Sequence, residues 1–406
     1  MNEIKMPLEG IRVIELAAVV AAPTAGRMLA HFGAEVIKIE APSGDVLRKV
    51  GDMHWLPIED GNNPLFDQFN SGKQLTAIDL RNPEGMQILM RLLEKADVFL
   101  TNTRMRSLEK LGLGYETLKK RFPRLIYAHF SGFGLTGPDR DRPGYDTTAF
   151  WMRTGACGDA VLPGDFPARP SYAFGDIATA GYFLSGILTA LIGRERSGHG
   201  TLVETSLLHS GIWMCAPYVV NTQPAYGHRL PEGRYEPWNP FSDYYLCRDG
   251  KYICPIAKFY PKDRFLMAEI FDIPELADDP DLATIGSMKK TGKEPAVVRR
   301  LEEEIVKRDS EEWIRIFLEH DIPYEIVRRI SDIVEDEQAW ANGYLEHAEY
   351  PGTNTIVPVP PVKLSEYQRK PFQIQGGAGA DTDSILAKAG YSETEIEHLK
   401  TDHAVI

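Results

Sequence analysis

Ile11-Arg-Val-Ile-Glu-Leu-Ala-Ala-Val-Val-Ala-Ala-Pro23-Thr-Ala-Gly-Arg-Met-Leu-Ala-His-Phe-Gly33-Ala-Glu-Val-Ile-Lys-Ile-Glu40 is the stretch on which the fold turns. Residues 11–16 have the β-branched, apolar run of a buried strand. Pro23 then opens a helix through Met28 and Leu29, and Gly33 ends it; proline in the first turn and glycine just past the last are the expected punctuation. Residues 35–40 form a second strand. A helix between two such strands returns the chain to the same edge, so the two strands run parallel.

The alternation continues outward. Residues 76–80 read as a strand, Pro83 opens a helix with Ile88, Leu89, Leu92 and Leu93 on one face, and residues 97–102 form the next strand. A short helix over 115–122, a strand over 125–130, a long apolar helix from Asp176 to about residue 193 and a strand over 201–207 complete the series. This is an α/β pattern: a Rossmann-like parallel sheet with helices on both faces, whose strand ends carry Asn102, Arg104 and Ser131 toward any ligand.

Pro, Gly, Tyr and Arg crowd residues 224–239, a linker composition. Beyond it a smaller α+β unit begins with a hairpin turning at Asp249-Gly250. Helices follow over 261–271 and 295–307, and Asp309-Ser-Glu-Glu312 is a capping box for a third. The division expected is a large domain from residues 1–225, a small domain from 226–325, and a return to the large domain over 326–406. Gly376-Gly-Ala-Gly-Ala-Asp381 reads as a flexible linker, and Ser392-Glu-Thr-Glu395 caps a last helix.

The 406 residues exceed the ~250–300 at which one core stops growing. Their net charge of −13 argues against nucleic acid or an anionic membrane as a partner. The four cysteines are scattered, with no Cys-x-x-Cys pair. A reducing cytoplasm fits. The sequence begins without the basic, apolar pattern of a signal peptide, and no run reaches the ~18 apolar residues of a spanning helix.

Within Ser171-Tyr-Ala-Phe-Gly-Asp-Ile177, Asp176 is a lone carboxylate opening a long apolar helix. Two readings stand. As an N-cap it would accept the free backbone N–H groups and stay ionised at neutral pH; as a carboxylate nucleophile it would carry an acyl group. Other chemistries lack their signatures. The glycine fingerprint of dinucleotide binding is absent after the first strand, as is a phosphate loop ending in Gly-Lys-Ser/Thr. The ten histidines form no metal-spaced cluster, so no metal is expected, and no Gly-x-Ser-x-Gly elbow occurs. Lys73, Arg81, Arg104, Arg106 and Lys110 fall near strand ends, where they could converge on a phosphate.

Leu8-Glu-Gly-Ile-Arg-Val-Ile-Glu-Leu16, Gly33-Ala-Glu-Val-Ile-Lys-Ile-Glu40, Asn70-Ser-Gly-Lys73, Ala77-Ile-Asp-Leu-Arg-Asn-Pro-Glu-Gly85, Leu111-Gly-Leu113, Gly132-Phe-Gly-Leu-Thr-Gly-Pro138, Arg142-Pro-Gly-Tyr-Asp146 and Gly175-Asp176 occur in that order. Together they resemble the class III CoA-transferases, a family that includes formyl-CoA and carnitine CoA-transferases and shares its fold with 2-methylacyl-CoA racemases. The resemblance runs from about residue 7 to 396.

It implies an interlocked, ring-like homodimer and a CoA-transferase acting on acyl-CoA and a small carboxylic acid, with coenzyme A and acyl-CoA as substrates and no permanently bound cofactor. Asp176 stands at the family's catalytic aspartate, which forms a mixed anhydride and then an aspartyl-CoA thioester. Val19 and Val20 fall in the loop lining the thioester, and Tyr145 and Asp146 match an active-site Tyr-Glu pair. Ile78, Arg81, Asn102, Thr103, Arg104 and Lys110 match coenzyme-binding positions.

Departures narrow the substrate. Ala41 replaces a coenzyme-binding arginine, Val20 replaces a glutamine, and Cys254-Pro-Ile-Ala-Lys-Phe-Tyr260 has no tetraglycine loop, all against formate or oxalate chemistry. The racemases need a histidine where Tyr145 stands, which favours transferase over racemase. A non-catalytic CoA-binding protein on the same fold would need Asp176 to be only a cap. Val19, Val20, Phe150, Trp151, Tyr172 and Phe174 suggest a medium-sized apolar or aromatic acyl group. The resemblance is strongest to the branch of amino acid fermentation in which CoA moves to a 2-hydroxy acid, such as a branched-chain or aryl lactate.

Overall fold

A computed structural model describes residues 6–51, 57–59 and 61–406. Its principal sheet has six parallel strands in the order β3-β2-β1-β4-β5-β6: β1 (Arg12–Leu16), β2 (Glu35–Glu40), β3 (Gln74–Ala77), β4 (Val98–Thr101), β5 (Ile126–Ser131) and β6 (Leu202–Ser206). That is the doubly wound order, with its reversal between β1 and β4. The sheet expected from the sequence is therefore present, with strand ends differing by at most three residues.

Helices cover both faces. On one, α1 (Ala21–His31) and α6 (Phe174–Ser197) pack together over Val13, Val98, Leu100, Ile126 and Ala128. On the other, Ile14, Ile37, Phe99 and Tyr127 meet Ile88, Leu89 and Leu92 of α3 (Pro83–Leu93), Leu108 of α4 (Met105–Lys110) and Leu118 of α5 (Tyr115–Arg121). The residues of β1, β4 and β5 alternate between these two cores, whereas Leu75 of β3 belongs to a separate cluster with Val20, Leu47, Phe66, Phe69 and Ala173. Helix α2 (Pro64–Asn70) begins at Asn63, whose Oδ1 accepts the Phe66 N–H at 2.9 Å. Helix α7 (Leu207–Met214) follows β6 directly.

The chain divides into two compact units: residues 1–156, 169–220 and 336–406, and residues 157–168 with 221–335. The second has its own aromatic core, in which Phe241, Tyr245, Phe271, Trp313 and Phe317 are all buried. Its three-stranded antiparallel sheet includes the expected hairpin, β7 (Tyr245–Leu246) and β8 (Tyr252–Pro255), joined by β9 (Tyr324–Ile326). The Asp309 capping box is formed.

Two features depart from the sequence reading. Residues 376–381, expected to be a loose linker, are docked. Gly376 O accepts Arg48 Nη1 at 3.0 Å, and Asp381 both accepts the Leu75 N–H at 2.8 Å and donates its own to Leu75 O at 2.9 Å. Composition favours flexibility, but β3 is an edge strand whose free polar groups need partners. An antiparallel hairpin, β10 (Leu345–Tyr350) with β11 (Thr353–Pro358), also forms without having been anticipated.

Candidate active site

All six strands point their carboxyl ends at one edge, and the loop after β1, residues 17–20, leaves it at the switch point beside β4. Asn102, just past β4, bridges to it: the Ala18 N–H donates to Asn102 Oδ1 at 3.1 Å, and Asn102 Nδ2 donates to Ala18 O at 2.8 Å. Val19 follows with φ +68°. For a β-branched residue this left-handed backbone costs about 1–3 kcal/mol and persists only where the surroundings impose it. Beneath it, Val20 packs with Leu47, Phe66, Phe69, Leu75 and Ala173, and Val19 packs against the same cluster.

Ala173 is the residue from which α6 starts, and it too is left-handed, at φ +59°. Asp176 is the third residue of that helix. Of the two readings of Asp176, the cap does not match the structure: the N-cap is Ala173, with no side-chain cap, and burial followed by the nearby Asp146 raises the Asp176 pKa to about 7, so that it is only partly ionised at neutral pH. A carboxylate in poor contact with water, facing another carboxylate, holds its proton more tightly.

Asp146 comes from Tyr145-Asp146 and opens a π-helix, Asp146–Met152, a form frequent at functional sites. Burial raises its pKa, and the backbone N–H groups of Asp176 and Gly175, with the Trp151 side chain, oppose that. None closes to full hydrogen-bond geometry, and among the described residues Asp146 Oδ1 and Trp151 Nε1 are buried without a bonded partner. So it is Asp146, from another segment, that faces the open start of α6. Gly175 permits the approach: a Cβ there would lie 2.2 Å from Asp146 Oδ1 and 2.4 Å from Phe150 Cγ. Gly132 and Gly144 make a second backbone contact, since a Cβ on either would come within 2.8 Å of the other's Cα.

Aromatic rings lie on the Asp146 side, with Trp151 toward its carboxylate and Phe150 beside Gly175. Phe150 and Trp151 meet edge to face at 5.6 Å, and Trp151 and Phe174 lie 5.6 Å apart. Phe150 belongs to the core, whereas Tyr172, Phe174 and Tyr145 are exposed. Burial, Asp176 and Asp45 together raise the pKa of Tyr172.

The proposed coenzyme residues are distributed along the strand-end edge. Ile78 is buried, and Arg81 is exposed and paired with Asp79 at 2.9 Å. The Thr103 N–H donates to Thr101 Oγ1 at 3.1 Å, and the Thr103 carbonyl lies 2.9 Å from His129 Nε2. Arg104, Arg106 and Lys110 are exposed on and beside α4. β3 and β4 are three strand spacings apart, about 14 Å, so Arg81 and Arg104 leave the sheet at separated points.

Lys73 does not join them. Its ammonium is fully buried, 2.8 Å from Glu15 and bonded to Pro23 O and Asn70 Oδ1. Burial lowers its pKa to about 7, against the opposing pull of Glu15. Sequence position suggested a phosphate ligand; the side chain instead belongs to an internal ion network. Glu84, His398 and Asp402 bring ligand-capable atoms within 4.8 Å of one another, a gathering across distant segments that spacing could not reveal. It lies at the surface, with His398 Nδ1 3.3 Å from Asp402.

One described helix, Phe174–Ser197, is long and apolar enough to cross a membrane. It packs against α1, β5, β6 and α7.

A family model described as CoA-transferase family III matches residues 8–382. The chain is 36% identical to the cinnamoyl-CoA:phenyllactate CoA-transferase of Clostridium sporogenes, over 98% of this chain and 97% of that protein. It is 33% identical to the (R)-2-hydroxy-4-methylpentanoate CoA-transferase of Clostridioides difficile, over 98% of this chain and 100% of that one. Among solved structures it is similar to a CAIB/BAIF family protein from Brucella suis, with a TM-score of 0.79 and 28% identity over 95% of this chain and 100% of that one.

Proposed function

The chain belongs to CoA-transferase family III and is a CoA-transferase, and from that premise we propose that it transfers CoA to a branched-chain or aryl 2-hydroxy acid through Asp176. The observation that carries this reading is the placement of Asp176 at the start of α6, beside Asp146, with its pKa raised to about 7. Removed from water, the carboxylate is more basic, and near neutrality a fraction of about half remains ionised and able to attack.

In the proposed sequence an Asp176 oxygen attacks the thioester carbonyl, the C–S bond breaks, and CoA leaves as thiolate. The thiolate then attacks the aspartyl carbonyl of the mixed anhydride. The donor acid departs as carboxylate, leaving an aspartyl-CoA thioester. The acceptor carboxylate attacks that thioester, again releasing thiolate, which takes the acceptor acyl group and frees Asp176. Backbone N–H groups near the helix start would stabilise each oxyanion. No proton or electron is consumed.

Val19 and Val20 form one wall of the acyl pocket in this reading, and Tyr145 and Asp146 another. Coenzyme A lies along the strand-end edge, served by the Ile78 and Thr103 segments, Arg81, Arg104 and Lys110, with Asn102 shaping the loop between. The exposed rings of Tyr172 and Phe174 support an apolar or aromatic acyl group. Two relatives, named for phenyllactate and for 2-hydroxy-4-methylpentanoate, support the same class. Large apolar residues exposed on α6 and α7, including Ile192, Ile212 and Trp213, support a homodimer, interlocked as the resemblance implies. A cytoplasmic setting suits thioester substrates.

The test is to mix enzyme with cinnamoyl-CoA, cleave with hydroxylamine, and map the modified peptide by mass spectrometry. Modification at Asp176, lost in Asp176→Asn together with CoA transfer to phenyllactate or 2-hydroxy-4-methylpentanoate, is the expected result. Undiminished transfer in that variant would overturn the reading.

A further inference from the structure

The loop over 17–19 is held residue by residue from below. Lys38 Nζ donates to Ala17 O at 2.7 Å, Asn102 takes both polar groups of Ala18, and the Val19 N–H donates to the Asp45 carboxylate at 3.2 and 3.3 Å to its two oxygens. Asp45 is itself fixed. Lys38 lies 3.0 Å from its Oδ2, the Leu47 N–H donates to its Oδ1 at 3.0 Å, and its own N–H donates to Glu40 Oε2 at 2.8 Å. The Lys38 ammonium also reaches Glu15 at 3.3 Å, which holds Lys73. The side chains of Lys38, Glu15 and Lys73 are wholly buried, and that of Asp45 nearly so.

Such a network makes the loop's conformation a property of the protein interior. Val19 keeps φ +68°, a backbone that a β-branched residue holds only where its surroundings impose it, and it packs against the cluster that contains Ala173, three residues before Asp176. We propose that Asp45 is a positioning residue for CoA transfer: by holding the Val19 N–H it keeps residue 19 left-handed and so fixes the wall against which the Asp176 helix begins. Asp45 itself touches no reacting atom. The inference rests on the transfer reading only for its kinetic readout.

Because glycine adopts a left-handed backbone freely, the dependence on Asp45 should vanish when residue 19 is glycine. The experiment is a double-mutant cycle of Asp45→Asn and Val19→Gly, read as kcat and KM for CoA transfer from cinnamoyl-CoA to phenyllactate, with amide exchange of the 17–20 segment measured by mass spectrometry. With Val19 present, Asp45→Asn should lower kcat about 10-fold while KM changes little, as expected for a misplaced wall. Exchange in the segment should accelerate by a similar factor. In the Val19→Gly background the same substitution should change kcat less than about 2-fold.

An equal loss in both backgrounds, or exchange unchanged by Asp45→Asn, overturns the proposal. If Asp45→Asn does not fold, Asp45→Ser, which retains a cap for Leu47, runs the same cycle and is judged alike. A wild-type enzyme that transfers no CoA would sink the transfer reading alone, and the exchange arm would still decide this one.

Discussion

At Asp176 and Asp146, two carboxyl groups with raised pKa values sit against one another in a partly dry site. Charge on Asp146 adds to burial in disfavouring the ionised form of Asp176. For a nucleophile that must be ionised, the rate of attack on acyl-CoA should rise with pH through about 7 and level off above it. Asp146→Asn removes a like charge and should move that inflection to lower pH, which a pH profile of kcat/KM will read. The stability consequence has the opposite sign to that of a salt-bridged carboxylate. The folded protein holds the Asp176 proton more tightly than the unfolded chain does, so this group's contribution is greatest below the unfolded pKa and declines as pH rises toward about 7. Asp176→Asn should therefore melt higher than wild type at pH 8, by about 2 °C or more, with the gap closing near pH 4. Gly175→Ala should be costly for another reason: the added carbon would collide with Asp146 Oδ1 and the Phe150 ring. A loss of roughly 1–3 kcal/mol in urea unfolding and a steep fall in turnover are expected. Asp176 was legible in the sequence because a charge stands out at the head of an apolar helix. That Asp146 lies beside it could be suggested only by resemblance, since about thirty residues of chain separate them and periodicity says nothing about which loops meet.

Among the elements, the parallel strands and the helices between them could be read directly, because alternating short apolar runs with Pro and Gly at the helix ends leave few alternatives. Contacts between distant elements could not. The buried pair of Glu40 at the end of β2 and Arg48 beyond it, bonded through two nitrogens at 2.7 Å, lies under the Phe66 ring of α2, with the guanidinium 4.0 Å from the ring centre. Its sequence signature is an ordinary scatter of charges. Arg48→Leu would leave Glu40 buried without its partner and cost about 3 kcal/mol or more, visible as a lower urea midpoint. Lys73 misleads in the same way: near a strand and basic, it resembles a phosphate ligand until its ammonium is found inside, on Glu15. The docked segment 376–381 is missed because glycine-rich composition reports chain freedom, whereas its position is set by the unpaired edge of β3.

For the whole molecule, the apolar residues left outside on α6 and α7 make a specific demand. Trp213 is 64% exposed and Ile192 60%, apolar surface that a second copy of the chain could cover. Sedimentation should give twice the chain mass, and Trp213→Glu should shift the distribution toward single chains. The chain passes from one unit to the other at residues 220–221, but the sequence carries no mark of how far along the chain a strand of the sheet finds its neighbours. β3 and the two residues after it are covered on their open side by residues much later in the chain: Leu75 by Asp381, Ile78 by Val405, Asp79 by Ala404. During synthesis the first-made sheet thus waits with an uncovered flank while residues 221–335 emerge and acquire a core of their own. Its closure needs residues 381–406, and until they have left the ribosome that flank has no partner, an open strand edge of the kind that favours clumping between nascent chains.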